Sequence, residues 1–343
     1  MTLRVLYVGG TGEISFACVE EAVRAGHDVT VYNRGTRPGF ETPLVKHVAG
    51  DIADDALYAE VAKQNFDVVC QFLAFEPKDI DRDIRTFGGR CGQYVFISTA
   101  SAYAKPIRVP LIREDTPLGN PFWEYSRKKE ACEARLRAAE EAGDIRVTII
   151  RPSHTYRTNL PSTVVRGDHL AWRLVNEKSV IVHGDGESIW TLTHSEDFAR
   201  AFVRICGHQD ALGCVFNITD SAGHTWNRIL RTVGAAIGVE PNIVNVLSNT
   251  LVKYEPSWTG TLLGDKSNSM IFDVSRVSRA AGGWRCAISL EKGVERAWRF
   301  TEERLKSGYR PDPELDARID QIIAENSQDV RPLCGRAGDH SRD

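Results

Sequence analysis

Residues 8–15 read VGGTGEIS. The residues that lead into them, LRVLYV at 3–8, form an apolar run of strand length. Residues 13–25 put Ile14, Cys18, Val19 and Ala22 on one helical face, and Gly26 ends the run. Glycines at 9, 10 and 12 therefore join a strand to a helix. Without Cβ atoms there, backbone amides approach a pyrophosphate closely at the positive end of the helix dipole. Ser15 takes the place of a third glycine and is still small enough to let helix pack on strand. Gly9, Thr11, Gly12, Glu13 and Ile14 are thus candidate cofactor contacts.

Outward from this turn the chain alternates. Strands are expected at 28–32, 45–48, 67–73, 93–98 and 146–151, with helices at 54–64, 78–87 and 124–142 between them. Such alternation predicts right-handed crossovers in a parallel sheet, an α/β doubly wound fold over residues 1–156. After Arg151 the period is lost. Residues 157–188 and 219–326 are expected to form a smaller α+β C-terminal substrate lobe, with returns to the first domain at about 189–218 that include a strand at 215–218. Residues 327–343 read as a polar tail.

Composition narrows the function. The chain has 343 residues, 42% hydrophobic and 26% charged, enough apolar residues for one large or two modest cores. A net charge of −3 gives no electrostatic reason to expect nucleic acid or an anionic membrane as partner, so a small-molecule substrate is the default. The eight cysteines are scattered and never at metal-ligand spacing, which predicts reduced thiols and no metal. With no leader-like start and no membrane-length apolar run, a cytoplasmic protein is expected. A homodimer is left open.

The second strand ends in Asn33 and Arg34, with Arg37 close behind. A carboxylate there would favour NAD through its ribose; asparagine repels no 2′-phosphate and arginine pairs with one. NAD or NADP is expected, with NADP slightly favoured. Asp51 and Ile52, in GDI at 50–52, lie where an adenine would be met.

Further along, Tyr125 and Lys129 stand four apart at the start of a helix and project from one face. An ammonium near a phenol lowers its pKa from about 10 toward neutrality. A tyrosine so tuned exchanges a proton with a substrate hydroxyl while hydride moves at the same carbon. The expected strand at 93–98 runs into Thr99, bringing a hydroxyl to the carboxyl edge of the sheet.

Taken with ISTASAY at 97–103, RPSHTY at 151–156, HGDG at 183–186, HSED at 194–197 and FNITD at 216–220, these segments make the chain resemble an extended short-chain dehydrogenase/reductase. The likeness is to the NAD-dependent epimerase/dehydratase family, over nearly the whole length, and it implies a Rossmann domain. It implies that Thr99 polarises the substrate oxygen, Tyr125 is the acid/base, and Lys129 also holds the nicotinamide ribose. Leu73 and Ala74 would lie near that ribose, and Pro152, Ser153 and His154 near the carboxamide.

Two departures from the family pattern refine the expectation. Ala100 and Ser101 follow Thr99 where sugar-nucleotide 4,6-dehydratases carry acidic residues, which disfavours that dehydration. Trp190 stands in GDGESIWTLTH, where many relatives have an arginine for the substrate diphosphate. Arg157, Arg166 and Lys266 are the candidate replacements. Phe75, Ser101, His154, Arg157 and Trp190 are the candidate substrate contacts, and core packing is expected for Trp226 and Trp258. The expected function is an NAD(P)-dependent oxidoreductase or epimerase acting on a secondary hydroxyl of a carbohydrate or carbohydrate-like substrate. The alternatives are a nucleoside-diphosphate-sugar epimerase or dehydratase, and a non-catalytic dinucleotide-dependent or RNA-binding protein.

Overall fold

In a computed structural model that describes residues 1–36 and 43–327, the chain begins with β1 (Arg4–Val8), the glycine turn and α1 (Ser15–Arg24). Next come β2 (Asp28–Asn33), β3 (Val45–Ala49), α2 (Asp55–Ala62), β4 (Phe66–Gln71) and α3 (Pro77–Phe87). They are followed by β5 (Cys91–Ile97), α4 (Glu124–Glu141) and β6 (Val147–Pro152). A short β7 (His154–Tyr156), α5 (Gly167–Val175), β8 (Val180–His183), β9 (Ile189–His194) and α6 (Ser195–Ile205) lead to β10 (Val215–Ile218). The remainder holds β11 (Gly223–Thr225), α7 (Trp226–Ile237), β12 (Ile243–Val246) and the helices Leu290–Lys306 and Pro313–Asn326.

Seven strands form one parallel sheet in the order β10-β6-β5-β4-β1-β2-β3. The alternation along β1 shows why both faces are covered. Val5 and Tyr7 join Ala17 and Cys18 of α1 and Phe198 and Phe202 of α6. Leu6 and Val8 join Tyr58, Ile80, Cys132 and Leu136 from α2, α3 and α4. A strand apolar on both faces cannot sit at a solvated surface, which fixes β1 in the middle of the sheet. The chain runs to β2 on one side of β1 and to β4 on the other, so a crevice opens at their carboxyl ends.

A third core of Tyr156, Leu170, Trp190, Trp226 and Ile229 lies outside the sheet, with both tryptophans buried. Trp258 is buried too, among Leu251, Leu262 and Ile322. β10 is the sheet's seventh strand, whereas β9 pairs with β7 in parallel and β11 antiparallel in a separate three-stranded sheet. Two expected boundaries move for local reasons. The first helix starts at Ser15 rather than at 13, where the Ser15 hydroxyl accepts the Gly12 N–H and closes the turn. The fourth strand ends at Gln71 because the Gln71 side chain accepts the Leu73 N–H and turns the chain. Among the described residues no helix is long and apolar enough to cross a membrane, and no group of His, Cys, Asp or Glu could hold a metal. Arg37 and the tail from 328 lie outside the described residues.

Candidate functional site

A cleft of about 940 Å³ follows the carboxyl edge of the sheet from the glycine turn to Trp190. Gly9 and Gly10 adopt φ of +117° and +94°. A Cβ on Gly10 would lie 2.7 Å from Val31 Cγ1, so only glycine fits between turn and sheet. A Cβ on Gly12 would meet nothing but Ser15 Oγ, which leaves its other side open to the cleft. Ser15 Oγ accepts the Gly12 N–H at 3.0 Å and so sets the turn's last amide. These features fit a dinucleotide pyrophosphate. Glu13 lines the cleft, yet its carboxylate is occupied by the N–H groups of Arg157 and Thr158, both at 2.9 Å, and by the Thr158 hydroxyl. Burial works to raise the Glu13 pKa, but these hydrogen bonds prevail and hold it below the usual range.

At the end of β2 the Asn33 amide donates to Gly9 O and accepts from Gly35 N–H, tying strand to turn. Arg34 is exposed on the cleft rim, with no ion pair or hydrogen bond among the described residues. Asp51 accepts the Ala53 N–H and presents its backbone oxygen to Tyr32 OH; Ile52 lies beside it in the wall.

Thr99, Tyr125 and Lys129 all reach the cleft, with Thr99 near enough to Tyr125 to act on its phenol. Lys129 does not pair with the phenol. Its Nζ, in a side chain 2% exposed, donates to Ala74 O and Ile97 O, each at 2.7 Å, and lies against the rings of Phe75 and Phe96. Burial lowers Lys129 to about 8. Burial also pushes Tyr125 up to about 12 despite the opposing influence of the Thr99 hydroxyl. The expected phenol-lowering pair is therefore corrected: position four on the helix carries the ammonium down to the strand ends, leaving Tyr125 a protonated acid at neutral pH. Ala74 itself does not line the cleft; it contributes its backbone oxygen to Lys129.

Beyond the tyrosine the wall is formed by Phe75, Ser101, Trp123, Pro152, Ser153 and His154, then Trp190, Thr261, Asp265 and Lys266. Burial, with Lys266 nearby, lowers His154 to about 3, so its ring is neutral at working pH. Arg157 is not in this cleft. It stacks 4.0 Å over Phe16 and borders a separate hollow with His194, Arg296 and Phe300. The cause is Glu13, which fixes residues 157–158 against the back of the glycine turn. Arg166 is exposed and also lies outside it. Lys266 does enter the cleft, with its Nζ donating to Ser162 O and Thr163 O.

Sequence reasoning missed Trp123, Thr261 and Asp265. Burial pushes Asp265 up to about 7, against the pull of Lys105 and Lys266. The one signal for it was its place beside Lys266 in a stretch of no regular period; Leu262–Lys266 folds as a π-helical turn, a distortion frequent at functional sites.

Residues 83–219 match the family model described as NAD dependent epimerase/dehydratase family. The chain is similar to a 2'-dehydrokanamycin reductase of Streptomyces kanamyceticus, 26% identical over 94% of this chain and 90% of that protein. It is also similar to a chloroplast stem-loop binding protein of Arabidopsis thaliana, 26% identical over 71% of this chain and 65% of the other. The solved structure of an epimerase from Methanothermobacter thermautotrophicus superposes with a TM-score of 0.74 at 16% identity, covering 89% of this chain and 94% of that one, which shows the shared fold.

Proposed function

We propose that this chain, a member of the NAD-dependent epimerase/dehydratase family, is an NAD(P)-dependent oxidoreductase or epimerase that acts on a secondary hydroxyl of a carbohydrate or carbohydrate-like substrate. The observation that carries the reading is one continuous cleft holding the glycine turn at one end and Tyr125 with Thr99 at its middle. Gly9, Thr11, Gly12 and Ile14 would hold the pyrophosphate, Asp51 and Ile52 the adenosine, and Leu73, Lys129, Pro152 and His154 the nicotinamide half. When bound, the dinucleotide supplies the acceptor or donor of hydride. Tyr125 acts on the proton: in the reduction direction its phenol delivers its hydrogen to a substrate ketone oxygen and becomes a phenolate, and in the oxidation direction it is that phenolate which takes the proton of the alcohol. Thr99 orients that oxygen. Phe75, exposed at the cleft, offers an apolar face of the kind sugar rings stack on, whereas Trp190 is packed against Trp226 and brings no more than an edge to the wall.

Arg34, exposed at the rim and without an ion pair among the described residues, supports acceptance of NADP as well as NAD. The test is to denature the purified protein and weigh the released nucleotide. Retained NAD(H) favours internal redox and epimerisation, and an empty site that binds added dinucleotide favours a dehydrogenase or reductase. A protein that neither releases nor binds either dinucleotide ends this reading.

Lys266 favours a second reading, a nucleoside-diphosphate-sugar epimerase, because it brings an ammonium to the substrate end. Two of its donors already serve backbone oxygens and the neighbouring carboxylate is anionic or half-protonated, so a diphosphate gains little there. Saturable micromolar binding of UDP, lost in Lys266→Met, would establish it.

A further inference from the structure

Behind Thr99 lies a row of side chains to which the mechanism assigns no task. Thr99 Oγ1 is 2.9 Å from Ser101 Oγ, which is 2.7 Å from Ser126 Oγ, which is 3.4 Å from Asn120 Nδ2. Ser126 and Asn120 are buried to within 1%. Hydroxyls donate or accept, so the distances alone leave the direction of such a row open. Here one end is fixed.

The Asn120 amide is oriented by its own oxygen, which accepts the Phe122 N–H. Its Nδ2 therefore faces Ser101 O at 2.8 Å, Gly264 O at 2.7 Å and Ser126 Oγ. An amide nitrogen accepts nothing, so the Ser126 proton has no partner on that side and goes to Ser101 Oγ. The Ser101 proton then goes to Thr99 Oγ1, which also accepts the Ser101 N–H at 3.2 Å. Both acceptor positions of Thr99 are filled. Its own hydrogen is left free to be donated on the cleft side, where Tyr125 stands. The opposite direction would leave the buried Ser126 hydroxyl without an acceptor among the described residues, which folded proteins avoid.

We propose that Asn120, Ser126 and Ser101 are positioning residues that lock the Thr99 hydroxyl as a donor toward the Tyr125 oxygen and the substrate oxygen beside it. The inference rests on the reading of Tyr125 as acid/base, and extends it with residues behind Thr99, of which Ser101 alone also lines the cleft. The same amide grips Gly264, inside the turn that carries Asp265 and Lys266 into the cleft. The direction of the row and the seating of that wall are therefore set by one side chain.

The test needs neither substrate nor dinucleotide. Tyr125 is replaced by 3-fluorotyrosine, whose phenol ionises at lower pH than tyrosine, and its titration is followed by ¹⁹F resonance in otherwise unaltered protein and in Ser126→Ala, Asn120→Ala and Thr99→Val. Thr99→Val removes the donor and sets the largest upward movement of the midpoint. Ser126→Ala, which keeps a good helix former in α4, is expected to move it up by about half a pH unit, the size of one neutral hydrogen bond. Asn120→Ala should do the same. Should Asn120→Ala fail to fold, Ser126→Ala decides alone. An unchanged midpoint in folded Ser126→Ala, with Thr99→Val displaced, overturns the proposal. Failure of the acid/base reading would show separately, as turnover surviving in Tyr125→Phe.

Discussion

Replacing Arg151 with methionine tests what holds the floor of the cleft. Arg151 and Glu133 are each 1% exposed and meet in a two-point pair, with Nη2 2.6 Å from Oε2 and Nε 2.9 Å from Oε1. Glu133 also accepts the Ser98 hydroxyl at 2.5 Å, and Arg151 Nη1 donates to Tyr103 OH and Glu114 O. Methionine roughly keeps the stem and removes every donor. Glu133 then keeps only the Ser98 hydroxyl and the more distant Arg137 guanidinium, 3.8 Å from its Oε2. Removing one partner of such a pair typically costs about 3–5 kcal/mol. Pairing Arg151→Met with Glu133→Leu removes the stranded charge, so the double variant should be more stable than Arg151→Met alone, with a coupling of about 2 kcal/mol. Urea unfolding followed by tryptophan fluorescence measures both. A loss below about 1 kcal/mol in Arg151→Met, or strict additivity in the double variant, would refute the reasoning.

Three other outcomes follow from the geometry. Gly10→Ala should cost about 2–4 kcal/mol from its φ of +94° and the 2.7 Å approach to Val31, and should weaken dinucleotide binding by calorimetry; a stable, tightly binding variant contradicts the packing of the turn. Arg34→Ala should weaken NADP by about 1.5–3 kcal/mol and leave NAD nearly unaffected, whereas equal loss would mean that Arg34 only stacks on adenine. Burial works to raise Asp316, but hydrogen bonds from His169 and Lys178 and the charge of Arg173 hold it at about 2. Its stabilisation is therefore full above about pH 4 and is lost as pH falls through about 2; Asp316→Asn should be less stable than wild type at pH 7, with the gap shrinking below pH 4 and closing only below about pH 2, by urea unfolding at each pH.

The sheet was legible because its strands are apolar on both faces and its helices are amphipathic, so period alone located β1 through β6 to within a few residues. The cleft's cofactor half was legible for a related reason: glycines at a strand-to-helix turn answer a backbone requirement that is local in sequence. Arg157, Lys129 and Asp265 were not. Where Arg157 points depends on Glu13, 144 residues away in sequence. That Lys129 serves Ala74 O and Ile97 O instead of Tyr125 depends on how far α4 stands above two strand ends, a tertiary distance with no trace in the YxxxK spacing. Asp265 reaches the cleft through a π-helical turn that neither the 3.6-residue nor the 2-residue period describes. β9 lies in the stretch 189–218 expected to return to the first domain, yet it pairs with β7 and β11 in a separate sheet, an allegiance its own residues do not encode.

The central claim is that Tyr125 transfers the proton while the rest of the cleft binds the dinucleotide. Tyr125→Phe removes only that oxygen. The direct measurement is turnover of oxidised and reduced glycosides with NADH, NADPH and their oxidised forms, alongside calorimetric binding of the same dinucleotides to the variant. Dinucleotide affinity within about twofold of wild type, with turnover lowered by about 10²–10⁴-fold, is the predicted result. Turnover above about a tenth of wild type would contradict the claim and move the proton transfer to another group.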